Sequence, residues 1–429
     1  MIGFPKQSTD FNTRLYKNTP FEKSFDSQIA SCLSGSQLLK DKKEEWSFFP
    51  FQKVLSKPFQ FQFQPATLDN QKVFLKDSIC IQVKNGIPDT AKHNSFDLIR
   101  FEDFLKAPSK KLSPKMQKKI LSSLEKERNH FSILNNVFYP KGFILVIKER
   151  IERPIEIHYT QESLVENQGL NLRNFIFVEG SAQILEFFHS RKSKLALFLN
   201  MQTDCFVKKS AHLQHFSFDG LSEEGAIIHQ LFSHLEKKSK AYFFNLSLNA
   251  GLSRWLRHIE QEEESISRLR GLSLLSGHSL ADYKTRVIHK GQQGLSDQFF
   301  KSFLFDSARY IFQGLIQIEK TADESDTSLL NKNYLFSPQS SAVSFPELDI
   351  CPANVKAAHG SATAPFFENN RLIFYLKSRG IDPYLSFYLV LLSLLKETFL
   401  DCPLSIQNFI KHWIEKKLIS LEESVHSNL

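Results

Sequence analysis

FIFVEGSAQILEFF at 175–188, CFVKKSAHLQHFSF at 205–218 and HLEKKSKAYFFNL at 234–246 are three strand–turn–strand units in succession. In each, apolar residues alternate with polar ones on either side of a short polar turn, the period-two signature of a strand with one face in a core. The Ser-Ala pairs at 181–182 and 210–211 lie 29 residues apart (210 minus 181), and a looser SKA follows at 239–241. FDSARYIFQG at 305–314 repeats the small-residue turn further on. Self-similarity at about this period indicates a stacked β-solenoid, because one coil cannot bury its own apolar face and relies on its neighbours. A β-sandwich built from similar hairpins is the competing reading. The lack of long helical patterns between about 140 and 350 excludes an alternating α/β barrel.

Upstream, the strand-like texture begins at Asn135, where NNVFYPKGFILVIKERIERPIEIHY alternates short Ile-, Val- and Phe-rich stretches with Pro140, Gly142 and Pro154. Residues 1–134 read as a mixed, mainly helical region whose charge runs, LKDKKEEW at 39–46 and KAPSKKLSPKMQKK at 106–119, suit solvated faces. From Ser113 to Phe131 the pattern predicts a helix with Ser113 as N-cap and Pro114 in its first turn. Downstream, 368–429 reads as three short helices, with Gly380 as a C-cap, Asp382 as an N-cap and Pro383 at the first turn. The segment 384–400 is apolar nearly all round, more than a surface helix needs, so part of it is expected to face a partner. The expected chain is mainly β: a parallel β-helix core at 135–367 between helical regions at 1–134 and 368–429.

The composition sets limits on function. At 429 residues, 41% hydrophobic and 23% charged, the chain is globular and long enough for two or three domains. Its 54 basic against 46 acidic residues give +8, a mild bias that falls short of the dense patch of a dedicated nucleic-acid binder. With 41 Phe against 10 Tyr and 3 Trp, the aromatic content is apolar bulk for cores and interfaces. Cys32, Cys80, Cys205, Cys351 and Cys402 are widely spaced and form no CxxC pair, which argues against a disulfide framework or zinc knuckle and for a reducing compartment. MIGFPKQSTDFNTRLYK lacks the regions of a signal peptide, and the longest apolar runs, such as Tyr388 to Leu395, fall short of a bilayer span. A cytoplasmic protein without membrane or nucleic-acid partners is expected.

Catalytic motifs are missing too. The sequence has no GxxxxGK[ST] loop, GxSxG elbow or HExxH pair, so ATP chemistry must come from a partner. The run Glu262–Glu264 reads as solvated acids on a turn, and His212, His215 and His289 as structural or surface histidines. Lys301 and Arg254 suit an interface or a charge network. A polysaccharide-acting lyase or hydrolase on a solenoid is the alternative from another class, but it needs carboxylates or bases clustered along one groove, and the strands offer none.

IFQGLIQIEK at 311–320, LLNKNYLFSP at 329–338 and FPELDICPANVKAAHGSATAPFFENNRLIFYLKSRGID at 345–382 are similar to the C-terminal core of the SufB/SufD family of iron–sulfur cluster assembly subunits. Asp282, Thr285, His289, Ser296, Gln298 and Lys301 fit a further pattern of that family, and FSILNNVFYPKGFILVI at 131–147 resembles its entry into the β-region. The length, and the lack of a cysteine-rich N-terminal portion, resemble the SufD branch. The resemblance implies a right-handed parallel β-helix and a non-ATPase, non-enzymatic scaffold. Such a subunit pairs with a SufB-like chain, docks a SufC-like ABC ATPase on its C-terminal helices, and forms a homodimer when SufB is absent. It binds no cofactor stably on its own, and an iron–sulfur cluster passes transiently through the interface with SufB. His359, with small residues on both sides, is the candidate contact to iron or cluster, a simple turn-bonding histidine being the bland alternative. The family's frequent Cys two residues earlier is Ala357 here, and Cys351 substitutes only if adjacent coils bring it close. Tyr375, Arg379, Tyr384, Phe387, Leu391 and Leu395 are the candidate ATPase contacts.

Overall fold

A computed structural model of the chain describes residues 73–426, apart from 90–94, 108, 127, 138–140, 162–167, 191–196, 249 and 367–370. The acidic–basic run at 39–46 and Cys32 lie outside the described residues. The described chain begins with β1 (Ile79–Lys84), β2 (Ile87–Pro88) and β3 (Asp97–Arg100), then α1 (Phe101–Lys106), α2 (Pro114–Leu124) and α3 (His130–Val137). Strands β4 (Phe143–Ile147), β5 (Ile155–Gln161), β6 (Gln168–Val178), β7 (Ser181–Ser190), β8 (Leu197–Val207), β9 (His212–Gly220), β10 (Ala226–Leu235) and β11 (Lys240–Ser247) follow. The series continues through β12 (Leu252–Gln261), β13 (Ile266–Leu275), β14 (Leu280–His289), β15 (Leu295–Leu304), β16 (Arg309–Ile318), β17 (Asp326–Leu335), β18 (Ser341–Ile350) and β19 (Lys356–Pro365). Then come α4 (Arg371–Ser378), α5 (Pro383–Lys396), a 3-10 turn (Glu397–Phe399) and α6 (Leu404–His426).

Even-numbered strands from β4 to β18 pair in parallel in one sheet, edged by the antiparallel β3; odd-numbered strands from β5 to β19 pair in the other with β1 and β2. The result is a parallel β-solenoid of about seven turns. The turns into β9, β11, β13, β15 and β17 each use a left-handed residue two positions ahead of the strand: Ser210, Lys238, Glu264, Gln293 and Glu324. This tight, recurrent corner is the source of the small-residue repeat seen in the sequence. The register also corrects that repeat, since Ser181 pairs with His212, and Ser210 lies in the turn before β9. The Ser-Ala pairs are therefore not equivalent positions, whereas Ala182, Leu213 and Ala241 are.

Three apolar layers hold the structure together. The lumen is filled by residues such as Ile184, Phe188, Leu231, Phe243, Trp255 and Tyr310. On the outer face of the even-numbered sheet, Phe104, Met116, Ile120 and Leu124 from α1 and α2 cover Ile144, Val146, Phe175 and Phe177. On the other sheet, α5 and α6 press Phe387, Leu391, Leu395, Ile406 and Ile410 onto Phe216, Phe218, Phe244, Leu272 and Phe303. With both faces of most coils covered, strands are buried along nearly their whole length, as in β8.

The predicted helix ends are present: Ser113 accepts from Met116 N at 3.3 Å, Asp382 accepts from Tyr384 N and Leu385 N at 2.9 and 3.1 Å, and Gly380 has φ 82°. Three strands lie inside the N-terminal region expected to be mainly helical. Ile79, Ile81 and Val83 of β1 alternate into the lumen beside β5, a signal too short to separate from its polar surroundings in the sequence. The acids Glu262–Glu264 are half-buried and paired with His234, Lys237 and Lys238 of the preceding turn, so they form a ladder between coils and are not simply solvated.

Candidate functional site

The solenoid ends on β18 and β19, each paired on one side only. Their free backbone edges and nearly all their side chains are half-buried or exposed, unlike the coils before them. His359 pairs in register with Leu329, a lumen residue, so it stands on the lumenal side of the last coil. It is exposed, with no further coil over it among the described residues. Around this mouth Ser344 Oγ donates to Asn331 Oδ1 at 2.5 Å, and Asn333 Nδ2 donates to Thr363 Oγ1 at 3.1 Å. Ala357 occupies the preceding lumenal position of β19, and Cys351 is exposed just past β18 on the other sheet.

Among the described residues no three His, Cys, Asp or Glu side chains are grouped to hold a metal ion. An iron centre needs several ligands. His359 has no companion donors grouped with it among the described residues.

The C-terminal helices divide the six candidate contact residues into two sets. Tyr375 and Arg379 are exposed and Tyr384 is half-buried. Phe387, Leu391 and Leu395 are buried against this chain's own sheet, with the Phe387 ring 5.7 Å from Phe336, so the expectation that they meet a partner is corrected. Helical spacing explains the error: an all-round apolar helix spends one face on its own domain. The face left open carries Leu385 and Leu389, beside Leu372 and Phe374 of α4, which has no buried residue. Phe374 is 73% exposed. The same apolar excess in the sequence held this signal, but not which residues carried it.

Charged groups join these helices to the sheet. The fully buried Lys301 side chain donates to the Leu394 carbonyl at 2.7 Å and pairs with Glu397. Burial pushes the Lys301 ammonium below its ordinary pKa against the pull of Glu397. Burial also opposes ionisation of Glu397, but the bond and charge of Lys301 hold its carboxyl below the usual range. Arg270 spans Asp297 at 2.5 Å and Asp401 at 2.9 Å. Lys301 is thus part of a charge network, as is Arg254, which pairs with buried Asp282. His212 is exposed on the outer face while His215 lies in the lumen, as three-residue spacing on a regular strand requires. His289 is also buried in the lumen, with Nε2 2.8 Å from Ser296 Oγ, and burial lowers its pKa to about 4.

The SUF system FeS cluster assembly, SufBD core domain profile matches residues 159–390, more than half of the chain. The chain belongs to the SufB/SufD family. An iron–sulfur cluster assembly SufBD family protein of Synechocystis sp. is 25% identical over 302 residues, 67% of this chain and 66% of that protein. Iron-sulfur cluster assembly protein SufD of Escherichia coli is 28% identical over 181 residues, 41% of each chain. SufD of Plasmodium berghei is 30% identical over 175 residues, 37% of this chain and 13% of that protein. The chain spans two thirds or less of the length of these curated relatives. Relatives named SufD stand among the proteins this chain is similar to. Members of the SufB/SufD family are subunits of the SUF machinery, and two relatives of this chain, both from Arabidopsis thaliana, are named as chloroplastic. No described helix is long and apolar enough to cross a membrane.

Proposed function

We propose that this chain is the non-ATPase, non-enzymatic scaffold subunit of a SufBCD-type complex that assembles iron–sulfur clusters. The observation that carries the reading is the open end of the solenoid. Two ten-residue edge strands, β18 and β19, offer unpaired backbone groups beside the lumen-facing His359. Exposed edges of this length are a template for another chain's strands. A SufB-like chain docking there supplies the missing ligands for a transient cluster, with His359 as this chain's contribution. The SufC-like ATPase docks on the exposed apolar face of α4 and α5, about Phe374, Tyr375, Leu385 and Leu389, with Arg379 and Tyr384 at its margin. The free thiols Cys80, Cys205, Cys351 and Cys402 support a reducing location, which we take as the cytoplasm.

Co-expression of the full chain with SufB-like and SufC-like chains from the same cell tests both surfaces. The tagged chain should retain both partners. His359→Ala should keep the complex and lower cluster yield in reconstitution. Unchanged yield removes the cluster role, and failure of the wild-type chain to retain a SufB-like partner removes the scaffold reading.

A further inference from the structure

Charge along the corner of the solenoid is balanced coil by coil in one stretch and left unbalanced in another. Past β10, Lys237 reaches Glu263 of the next coil at 2.6 Å and Lys238 reaches Glu264 at 3.2 Å. Lys290 likewise meets Glu260 at 2.8 Å. α2 breaks the pattern. With its lead-in it carries Lys106, Lys110, Lys111, Lys115, Lys118 and Lys119, and no acid falls between Asp103 and Glu125. Met116, Ile120 and Leu124 turn its apolar face onto the even-numbered sheet, which leaves Lys115 and Lys118 exposed.

Contacts at its two ends fix where this helix lies. Lys111 and Lys148, the latter just past β4, share Asp97 at 3.3 and 2.8 Å. At the far end Lys119 reaches Glu236, just past β10, at 3.0 Å. β4 and β10 are three coil-to-coil steps apart in their sheet, roughly 14 Å at about 4.8 Å per step. α2 therefore runs along the solenoid axis, and its lysines form a strip beside Lys208 and Lys209 of the corner. The acids under the strip are already taken: Asp97 by two lysines, Glu179 by Lys208, and Glu236 by Lys119 and the Lys209 backbone N–H. Burial opposes ionisation of Glu236, but the bond from Lys119 and the nearby charge of Lys115 hold its carboxyl below the usual range. Lys110, Lys115, Lys118 and the Lys209 ammonium have no ion-pair partner among the described residues.

This arrangement works against the stability of α2 itself. Like charges three and four residues apart on one helix repel, as Lys115 does with Lys118 and Lys119. Lys115 also stands in the first turn, at the positive end of the helix dipole, where Asp or Glu would stabilise and α2 has neither. A row of cations kept against both effects fits a surface whose counter-charge arrives from outside. We propose that the α2 strip is the docking site of an acidic protein segment, a run of Asp and Glu on another chain that lays its carboxylates along Lys111, Lys115, Lys118 and Lys209.

Local chemistry selects carboxylates over nucleic acid. Cations cap the aromatic rings beside the strip: the Lys119 ammonium lies 4.8 Å from the Phe206 ring centre, and the Arg128 guanidinium 3.7 Å from that of Phe232. Neither ring is open for a base to stack on. The unpaired cations are all lysine, point charges without the planar fork that grips phosphate bidentately. The strip lies on the outer face of the even-numbered sheet, opposite α5 and α6, and ends four coil-to-coil steps short of β18. A segment bound here clears both surfaces assigned above, so the inference goes beyond the assembly role and needs neither companion chain. Exposed charge gives fast, salt-sensitive association, suited to a partner that visits the assembled complex and leaves.

The test is fluorescence anisotropy of labelled deca-glutamate titrated with the full chain, with single-stranded oligothymidylate as the second probe. Deca-glutamate should bind, and raising the salt from about 50 to 200 mM should weaken it several-fold. Lys115→Glu combined with Lys118→Glu should weaken it about tenfold at the lower salt. Lys320→Glu combined with Lys416→Glu makes the same change of charge away from the strip and should weaken it by less than about twofold. All four side chains are exposed, so neither variant disturbs the packing. No binding of deca-glutamate, an equal loss in the two variants, or tighter binding of oligothymidylate than of deca-glutamate overturns the proposal.

Discussion

Replacing Glu397 by Gln should loosen the C-terminal helices more than replacing Lys301 by Met, although Glu397 is the more exposed of the pair. In E397Q the Lys301 ammonium keeps the Leu394 carbonyl at 2.7 Å but loses its carboxylate while its side chain stays fully buried. Deleting one partner of a fully buried pair costs about 3–5 kcal/mol. The Glu397 side chain is 48% exposed, so water partly replaces it and about 2 kcal/mol is the discounted figure. In K301M the charge leaves together with its desolvation penalty and the chain length is nearly conserved. What remains is one lost bond to a helix carbonyl and one screened ion pair, about 1 kcal/mol. Hydrogen–deuterium exchange of α5 peptides reads this directly, at tenfold per about 1.4 kcal/mol. Exchange should accelerate about 30-fold in E397Q and about 5-fold in K301M, with the double variant close to K301M. Wild-type exchange in E397Q, or faster exchange in K301M than in E397Q, would refute this account of a buried cation held by its partner.

Three further outcomes follow from the described contacts. His289, with its folded pKa lowered to about 4 from 6.5, stays neutral where the unfolded chain binds a proton; stability should fall as pH drops from about 6.5 to 4, by up to about 3 kcal/mol, and His289→Gln should flatten that part of the urea-midpoint profile. Gly271→Ala places a Cβ 2.3 Å from Phe300 Cδ1 and should lower the melting temperature through an overpacking cost of about 1–3 kcal/mol, a cost removed when Phe300 is shortened to Leu in the same chain. Phe374→Ser, at a side chain 73% exposed, should change stability by less than about 0.5 kcal/mol yet weaken ATPase retention at least tenfold in a pull-down.

The solenoid was legible because period-two alternation and a recurring corner are local signals. Their exact equivalence was not: Ser181 and Ser210 look alike in sequence, but one starts a strand and the other turns a corner. β1 was hidden because six residues of alternation carry little weight before the partner strand is known. At the C-terminus the sequence announced too much apolar surface on residues 384–400, and only packing could allot Leu391 to the sheet and Leu389 to solvent. The lumenal placement of His359 follows from pairing with Leu329, which no spacing within KAAHGSATAP reveals.

The open end also has a consequence for gene dosage. The long free edges are at one end, while the other described end finishes on strands of two and four residues. Chains with one sticky end pair off and stop; chains with two would grow into filaments. Under the pairing proposed above, a surplus of this subunit would be stored as closed pairs of itself, and synthesis of a SufB-like companion would draw on that store by strand exchange at a single surface.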